Sequence, residues 1–438
     1  MERAWRLVVI LALWLAACVT PVARVVPTGS GASGASVGAS GSIGPGSQRD
    51  AGWTADLEGL LPAMEAMHPD LYHGTPKAQL EADVATLTQS IPTASDDELM
   101  VGLLKIVARV SAAGRDGHTG AFIWGKGRYP VHSLPLRLWS FTDGLYVVGA
   151  LPPYEGLVGS RVDSVAGHPT ADVVEALDPL IPRDNPTTVA LLTPRYLLIP
   201  EVLHGLGLVD QVGPIQLGLT DRSGAASTAA IEPVAMGAYN AWAGAYGLHL
   251  PPIPRVRYLM RSEEPLWHEL LNKATLYVQY NRVDRLAPSR FDEITSAAAQ
   301  PGVSTVILDL RHNYGGESNG YAPLLALLTA PPVSGKDLYV ITGRNTFSAA
   351  SLLAAELDQQ TDALFVGEPM GGSPNLYGNS RDITLRHSGL VVSVATEYFE
   401  RSRPGDPRLT IDPDIPAPLS SIDYFAGRDP ALEEIKGR

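Results

Sequence analysis

Apolar residues recur at helical spacing early in the chain and at strand spacing beyond it. Leu57, Leu60, Leu61 and Met64, and again Leu99, Leu103, Leu104 and Val107, share one face of a 3.6-residue period, with Pro92 and Thr93 marking a break between them. This pattern predicts a small helical domain over residues 51–125. The period then changes: Leu134-Pro135-Leu136-Arg137-Leu138-Trp139 and Gly144-Leu145-Tyr146-Val147-Val148 alternate as strands. Short runs rich in β-branched residues follow at 274–280, 303–310, 337–342 and 389–394, and the helix-like segment 349–357 comes after the third. Strands alternating with helices between about Lys273 and Leu385 make the C-terminal part α/β. Residues 180–255 mix proline-rich turns with short apolar runs and yield neither an element nor a chemistry.

The first residues read differently. Arg3 and Arg6 precede the apolar run Leu7–Leu15, which ends in Leu15-Ala16-Ala17 before Cys18, the look of a bacterial lipoprotein signal over residues 1–17. Cys18 would then be the lipidated first residue, the alternatives being a buried cysteine or a signal cut elsewhere. It is the only cysteine, so no disulfide forms within one chain. Residues 18–50 contain repeated Gly-Ala-Ser and Gly-Ser steps and are expected to be a disordered linker. No later run approaches about twenty apolar residues, so the mature protein is expected to be soluble but tethered to the cell envelope.

Length and charge narrow the classes. A chain of 438 residues with 45% hydrophobic content can bury more than one core. A net charge of −13 without a basic stripe argues against nucleic acid as a partner. No grouping of histidine, cysteine and carboxylate has a ligand spacing, so no metal or other cofactor is expected.

Two polar turns carry the candidate chemistry. Asp309-Leu310-Arg311-His312-Asn313-Tyr314-Gly315-Gly316 closes the 303–310 strand with two glycines, which let the backbone approach a ligand and turn its N–H groups outward. Asn345-Thr346-Phe347-Ser348-Ala349-Ala350 joins the 337–342 strand to the 349–357 helix. A serine there is either a helix N-cap or a nucleophile whose oxyanion gains from the positive end of the helix.

In this order, and with Val366-Gly367-Glu368-Pro369-Met370-Gly371-Gly372 and Asp412-Pro413-Asp414-Ile415 downstream, these segments resemble the tail-specific (C-terminal-processing) serine peptidases and their tricorn-core relatives. The resemblance covers about the last 180 residues. It implies a mixed-sheet α/β core of the crotonase or Clp-peptidase kind over 256–438, with the helical N-terminal domain and a PDZ-like β module with an insertion (126–255) around it. Residues 156–168 resemble a PDZ core without the usual carboxylate-binding loop, and a purely structural β domain remains the other reading. The resemblance also implies a polypeptide substrate, Ser348 as nucleophile, and an oxyanion hole from the backbone of Ala349 with Gly315 or Gly316.

Many members pair the serine with a lysine, but the matching position here is Ser373, and no lysine lies between Lys336 and Lys436. The tricorn-like branch uses a histidine in a D-x-H-T context, which Asp116-Gly117-His118-Thr119 resembles, so His118 is the expected base. Asp116, Glu368 and Glu397 are the candidate orienting or supporting acids, with Glu368 expected to brace the loop under the nucleophile. His312 is treated as substrate-facing or incidental. The alternative to a peptidase is a catalytically inactive ligand- or peptide-binding protein on the same fold.

Overall fold

The computed structural model describes residues 45–125, 127–244 and 248–438. Cys18, the signal-like segment and most of the Gly/Ser-rich stretch lie outside the described residues. Helix α1 (Pro45–Glu65) begins within the stretch expected to be linker. Residues 45–50 are ordered because Arg49 reaches the carbonyls of Ile91 and Ala94 and the carboxylate of Asp96, which ties them to the next helices.

Helices α2 (Lys77–Ser90) and α3 (Asp96–Ala108) complete the N-terminal group. Ser95 and Glu98 form a capping box at the start of α3, satisfying two donors that the first turn leaves unpaired. Trp53, Leu57, Leu60 and Met64 of α1 meet Leu99, Leu103, Leu104 and Val107 of α3 in one apolar core. Past α3 the chain departs from the helical expectation. Gly120 and Ala121 pair with Ser393 and Val392, so the end of the 51–125 stretch is stitched into the C-terminal region.

The middle of the chain is an antiparallel sheet whose neighbours run β1 (Leu136–Phe141), β2 (Gly144–Ala150), β3 (Arg161–Val165), β4 (Ile215–Thr220) and β5 (Ala226–Ile231). Helices α4 (Thr170–Leu177) and α5 (Pro186–Leu197) lie between β3 and β4 in sequence. Residues 180–255, unread in the sequence, thus supply β4, β5, α5, the short strand Val234–Ala235 and the helices Pro200–Gly205 and Met236–Ala243. A sheet of this kind serves either reading of residues 156–168, PDZ-like or purely structural.

The C-terminal region is built on a six-stranded mixed sheet. Its elements are β6 (Leu266–Leu270), β7 (Thr275–Tyr280), α6 (Pro288–Ala298), β8 (Thr305–Asp309), α7 (Ala322–Thr329), β9 (Asp337–Thr342), α8 (Ala349–Gln360) and β10 (Leu364–Gly367). After β11 (Asn375–Gly378), β12 (Val391–Val394) and β13 (Glu397–Glu400), which lie outside this sheet, come β14 (Ile415–Pro416) and helix α9 (Pro430–Lys436). The strand order is β6-β7-β8-β9-β10-β14, antiparallel at β6 and parallel elsewhere. Parallel strands need cover on both faces, which is why Val306, Ile307 and Leu308 form a continuous apolar run. Val306, Leu308 and Val340 pack on Ile294, Leu324 and Leu353 of α6, α7 and α8, while Ile307, Ile341 and Val366 pack on Leu432 and Ile435 of α9.

Both motif turns leave the carboxyl ends of neighbouring parallel strands, β8 and β9, so the sheet register brings them together. Arg311 secures that edge. It bonds Asp309 at 2.6 Å and Asp429 at 2.7 Å, and lies 3.8 Å from the centre of the Tyr258 ring. Replacing Arg311 by methionine leaves two buried carboxylates without their cation. Urea unfolding is expected to show a loss of about 3–5 kcal/mol; an unchanged midpoint would show that the pair is not buried in solution.

Candidate active site

Ser348 stands alone between β9 and α8 with φ 54° and ψ −127°, a backbone conformation that is uncommon for a residue with a side chain. Its side chain makes no capping bond to the helix. Instead its Oγ lies 3.0 Å from Nε2 of His118, 230 residues earlier in the chain. The N-cap alternative therefore does not describe this serine, whose hydroxyl is turned away from the helix N–H groups toward an imidazole.

Several bonds hold the turn. Thr346 donates its hydroxyl to the Leu310 carbonyl and accepts the Gly343 N–H, while its own carbonyl accepts Gly372 N–H and the Ser351 hydroxyl. Phe347 N–H donates to the Asn313 carbonyl, which joins the serine turn to the glycine turn. Gly315 has φ 94°, and a Cβ there would come within 2.6 Å of the Ser348 Cβ, so only glycine lets the two loops touch.

Of the expected oxyanion donors, Ala349 N–H and Gly316 N–H make no hydrogen bond among the described residues, whereas Gly315 N–H is already given to Asn313 Oδ1 at 2.9 Å. The first two can receive an anion as they stand. Gly315 can do so only by releasing Asn313.

His118 is held by packing more than by hydrogen bonding. Its ring stacks on Phe347 at 4.7 Å, and Phe347 stacks on Tyr314 at 5.0 Å. Burial lowers its pKa to about 4, against the opposing pull of the Asp116 charge and the Tyr377 main chain. The imidazole is thus neutral and able to accept a proton from about pH 4 upward. Its Nδ1 is buried and bonded to no acid.

None of the three candidate acids bonds His118. Asp116 accepts the Thr119 N–H at 3.0 Å and bonds His68 Nε2 at 3.1 Å, shaping the turn that carries His118. Glu368 pairs with Arg344, two residues before Thr346, and so braces the serine turn from its start. Glu397 is exposed at the beginning of β13. His312 stacks on His249 at 3.9 Å and lines a separate cavity with Arg311, Arg344 and Glu368 beside Trp139, Leu250 and Leu259.

His68, His73 and Asp116 converge within 4.8 Å, a grouping that sequence spacing did not anticipate. His68 is turned to a hydrogen bond within the group. His68 Nδ1 accepts the Asp70 N–H at 3.0 Å, so in the neutral ring Nε2 carries the proton and donates it to Asp116. His68 and Asp116 thus form a hydrogen-bonded brace, while His73 donates from Nδ1 to the Asp70 carbonyl at 2.8 Å and its buried Nε2 meets no partner among the described residues.

Among solved structures the chain is similar to mature CPAF complexed with lactacystin, with 13% identity, a TM-score of 0.61, and 89% of this chain and 98% of that one covered. Mature CPAF alone gives 13% identity, a TM-score of 0.60 and coverages of 89% and 96%. The chain has the tail-specific serine peptidase fold. A photosystem II D1 C-terminal processing protease also aligns, at 14% identity over 85% of this chain and 93% of that one, with a TM-score of 0.40. No protein-family model and no curated protein matches the sequence.

Within the tail-specific fold, Ser373 fills the place where the resemblance would put a lysine. It is fully buried, and its hydroxyl donates to the Leu409 carbonyl. Beside it is a residue that sequence reasoning missed. Asp184 is buried, its Oδ1 accepting the Gly117 N–H at 2.6 Å and its Oδ2 the Ser373 N–H at 2.9 Å. It ties the His118 turn to the loop that supports Thr346. Asp184-Asn185-Pro186 reads as a helix start, and Asn185 does cap α5. An acid left over beside an occupied cap was the available signal.

Burial pushes the Asp184 pKa up to about 7, aided by the Asp116 charge and opposed by the two N–H donors. Above that value both oxygens accept; below it one becomes a donor, as in an amide. Asp184→Asn is therefore expected to slow fluorophosphonate labelling of Ser348 about tenfold or more at pH 8, and to approach parity at pH 5. A loss equal at both pH values would reduce Asp184 to a packing role.

Proposed function

We propose that the protein is a serine peptidase in which Ser348 is the nucleophile and His118 its general base. His118 Nε2 takes the Oγ proton as Oγ bonds to the scissile carbonyl carbon. The same proton passes to the leaving amine as the C–N bond breaks, and water then repeats the cycle on the acyl-enzyme. The oxyanion is received by Ala349 N–H together with Gly316 N–H, Gly315 joining if Asn313 lets go. The observation that carries this reading is the 3.0 Å contact between Ser348 Oγ and a neutral imidazole at a strained strand-to-helix turn. The substrate is a polypeptide.

A non-hydrolytic peptide- or ligand-binding protein is the second reading, favoured by a His118 Nδ1 that no acid orients. A fluorophosphonate probe separates the two. Labelling that disappears in both Ser348→Ala and His118→Ala, together with a loss of peptide hydrolysis of about 10⁴-fold or more, supports the enzyme; a folded wild-type protein that never labels supports the binder. The acid limb of kcat/KM is expected near pH 4, and a limb near 6.5 would contradict the desolvated base. Between these values the unfolded chain binds a proton at this histidine that the folded chain does not. His118 therefore favours unfolding progressively as the pH falls through that window.

The Leu15-Ala16-Ala17-Cys18 segment supports an extracytoplasmic location with a lipid anchor on Cys18. Intact-mass analysis of the membrane fraction is expected to show a chain beginning at Cys18 with added acyl groups; an unmodified N-terminus elsewhere would reject the anchor.

A further inference from the structure

His118, 3.0 Å from the Ser348 hydroxyl, lines a cavity of about 240 Å³. Phe122 and Trp124, from the segment after Gly120 and Ala121, form part of its wall, with Leu192 of α5, Leu248 and Val391 of β12 forming the rest. His118, Phe347 and Tyr314 line it as well, the last two standing one residue before Ser348 and Gly315. Among the described residues no aspartate, glutamate, lysine or arginine lines it, and the polar contributors Ser380 and Ser393 sit at partly or fully exposed positions.

Position and chemistry together name an occupant. A carbonyl whose oxygen points at Ala349 N–H and the glycine turn carries its Cα beside the two turns that bear Phe347 and Tyr314, both of which line the cavity. The side chain on that Cα is then the group best placed to enter the cavity. A space lined by apolar side chains remains dry and takes an apolar guest; about 150 Å³ suffices for a benzene ring. Here there is room for a phenyl, isobutyl or thioether group, whereas a charge would be buried without a partner.

We propose that this cavity is the specificity pocket for the residue on the acyl side of the scissile bond, and that the enzyme cleaves after bulky apolar residues such as phenylalanine, leucine and methionine. The inference rests on the peptidase reading above. A methyl side chain leaves the cavity nearly empty, while a benzyl group fills it. Each methylene in such a pocket changes kcat/KM by roughly 10–200-fold.

Peptidyl aminomethylcoumarins test this directly, because only their acyl side carries amino acids. In a series Ala-Ala-X with X varied, phenylalanine and leucine are expected to exceed alanine by about 100-fold or more in kcat/KM, with aspartate and lysine lower still. Val391→Phe narrows the cavity from a strand that takes no part in the chemistry. It is expected to cut the phenylalanine-to-alanine ratio at least about tenfold while alanine substrates are still hydrolysed. Should that variant not fold, peptidyl boronates of the same series report the ranking on the wild-type protein through their inhibition constants. Hydrolysis with a flat profile, or with a preference for charged residues, would overturn the pocket assignment and leave the peptidase reading standing. Absence of both hydrolysis and fluorophosphonate labelling would remove the peptidase reading, and the pocket assignment with it.

Discussion

The left-handed backbone of Ser348 is the constraint around which the rest of the site is arranged. A non-glycine residue with φ 54° costs of order 1–3 kcal/mol and persists only when its surroundings over-determine it. Here they do so from several sides. Thr346 alone takes part in five bonds, two within the turn and three that tie it to the end of β8, to α8 and to the 370–373 loop. Gly372 completes the support from beneath, since a Cβ there would meet the Ser351 hydroxyl at 2.1 Å. What the strain yields is direction: the hydroxyl leaves the helix end uncapped and faces the imidazole.

The imidazole is fixed by another physics. A histidine oriented by a carboxylate gains basicity from the charge, but His118 sits in an aromatic stack with Phe347 and Tyr314 and has no acid on its far nitrogen. The nearest acid, Asp116, spends its oxygens on the turn and on His68. Rigidity is thus obtained from ring packing and from a glycine at 117, whose Cβ would press to 3.0 Å from the Phe347 ring. The same rings that hold His118 also line the apolar cavity, so in the proposed peptidase one set of side chains would serve both the base and the pocket.

The sequence made part of this visible. Strand-turn-serine-helix, the double glycine and the D-x-H-T segment were all readable because each is local, a few residues whose types are dictated by one turn. The α/β character of the last third followed from β-branched runs in the same way. What stayed hidden is non-local. Asp184 acts through bonds spanning 67 and 189 residues, and the grouping of His68, His73 and Asp116 exists only after α1 has packed. Residues 180–255 were opaque because prolines fall at the start of and inside their helices, Pro186 and Pro194 in α5 among them, and mask the period, although α5 supplies Leu192 to the cavity. The six residues expected as linker became helix through a single arginine, a contact that composition cannot register.

The span of 230 residues between His118 and Ser348 has a consequence for timing. During synthesis the segment bearing the imidazole emerges first and the serine much later, and the turn that strains the serine needs β8, α8 and the 370–373 loop to be made as well. A partly made chain therefore holds a histidine without a nucleophile, and then a serine without the strain that aims it. The contact between the two forms as one late event, when the C-terminal region docks against the N-terminal helices, and the proposed activity would be absent from the growing polypeptide until then.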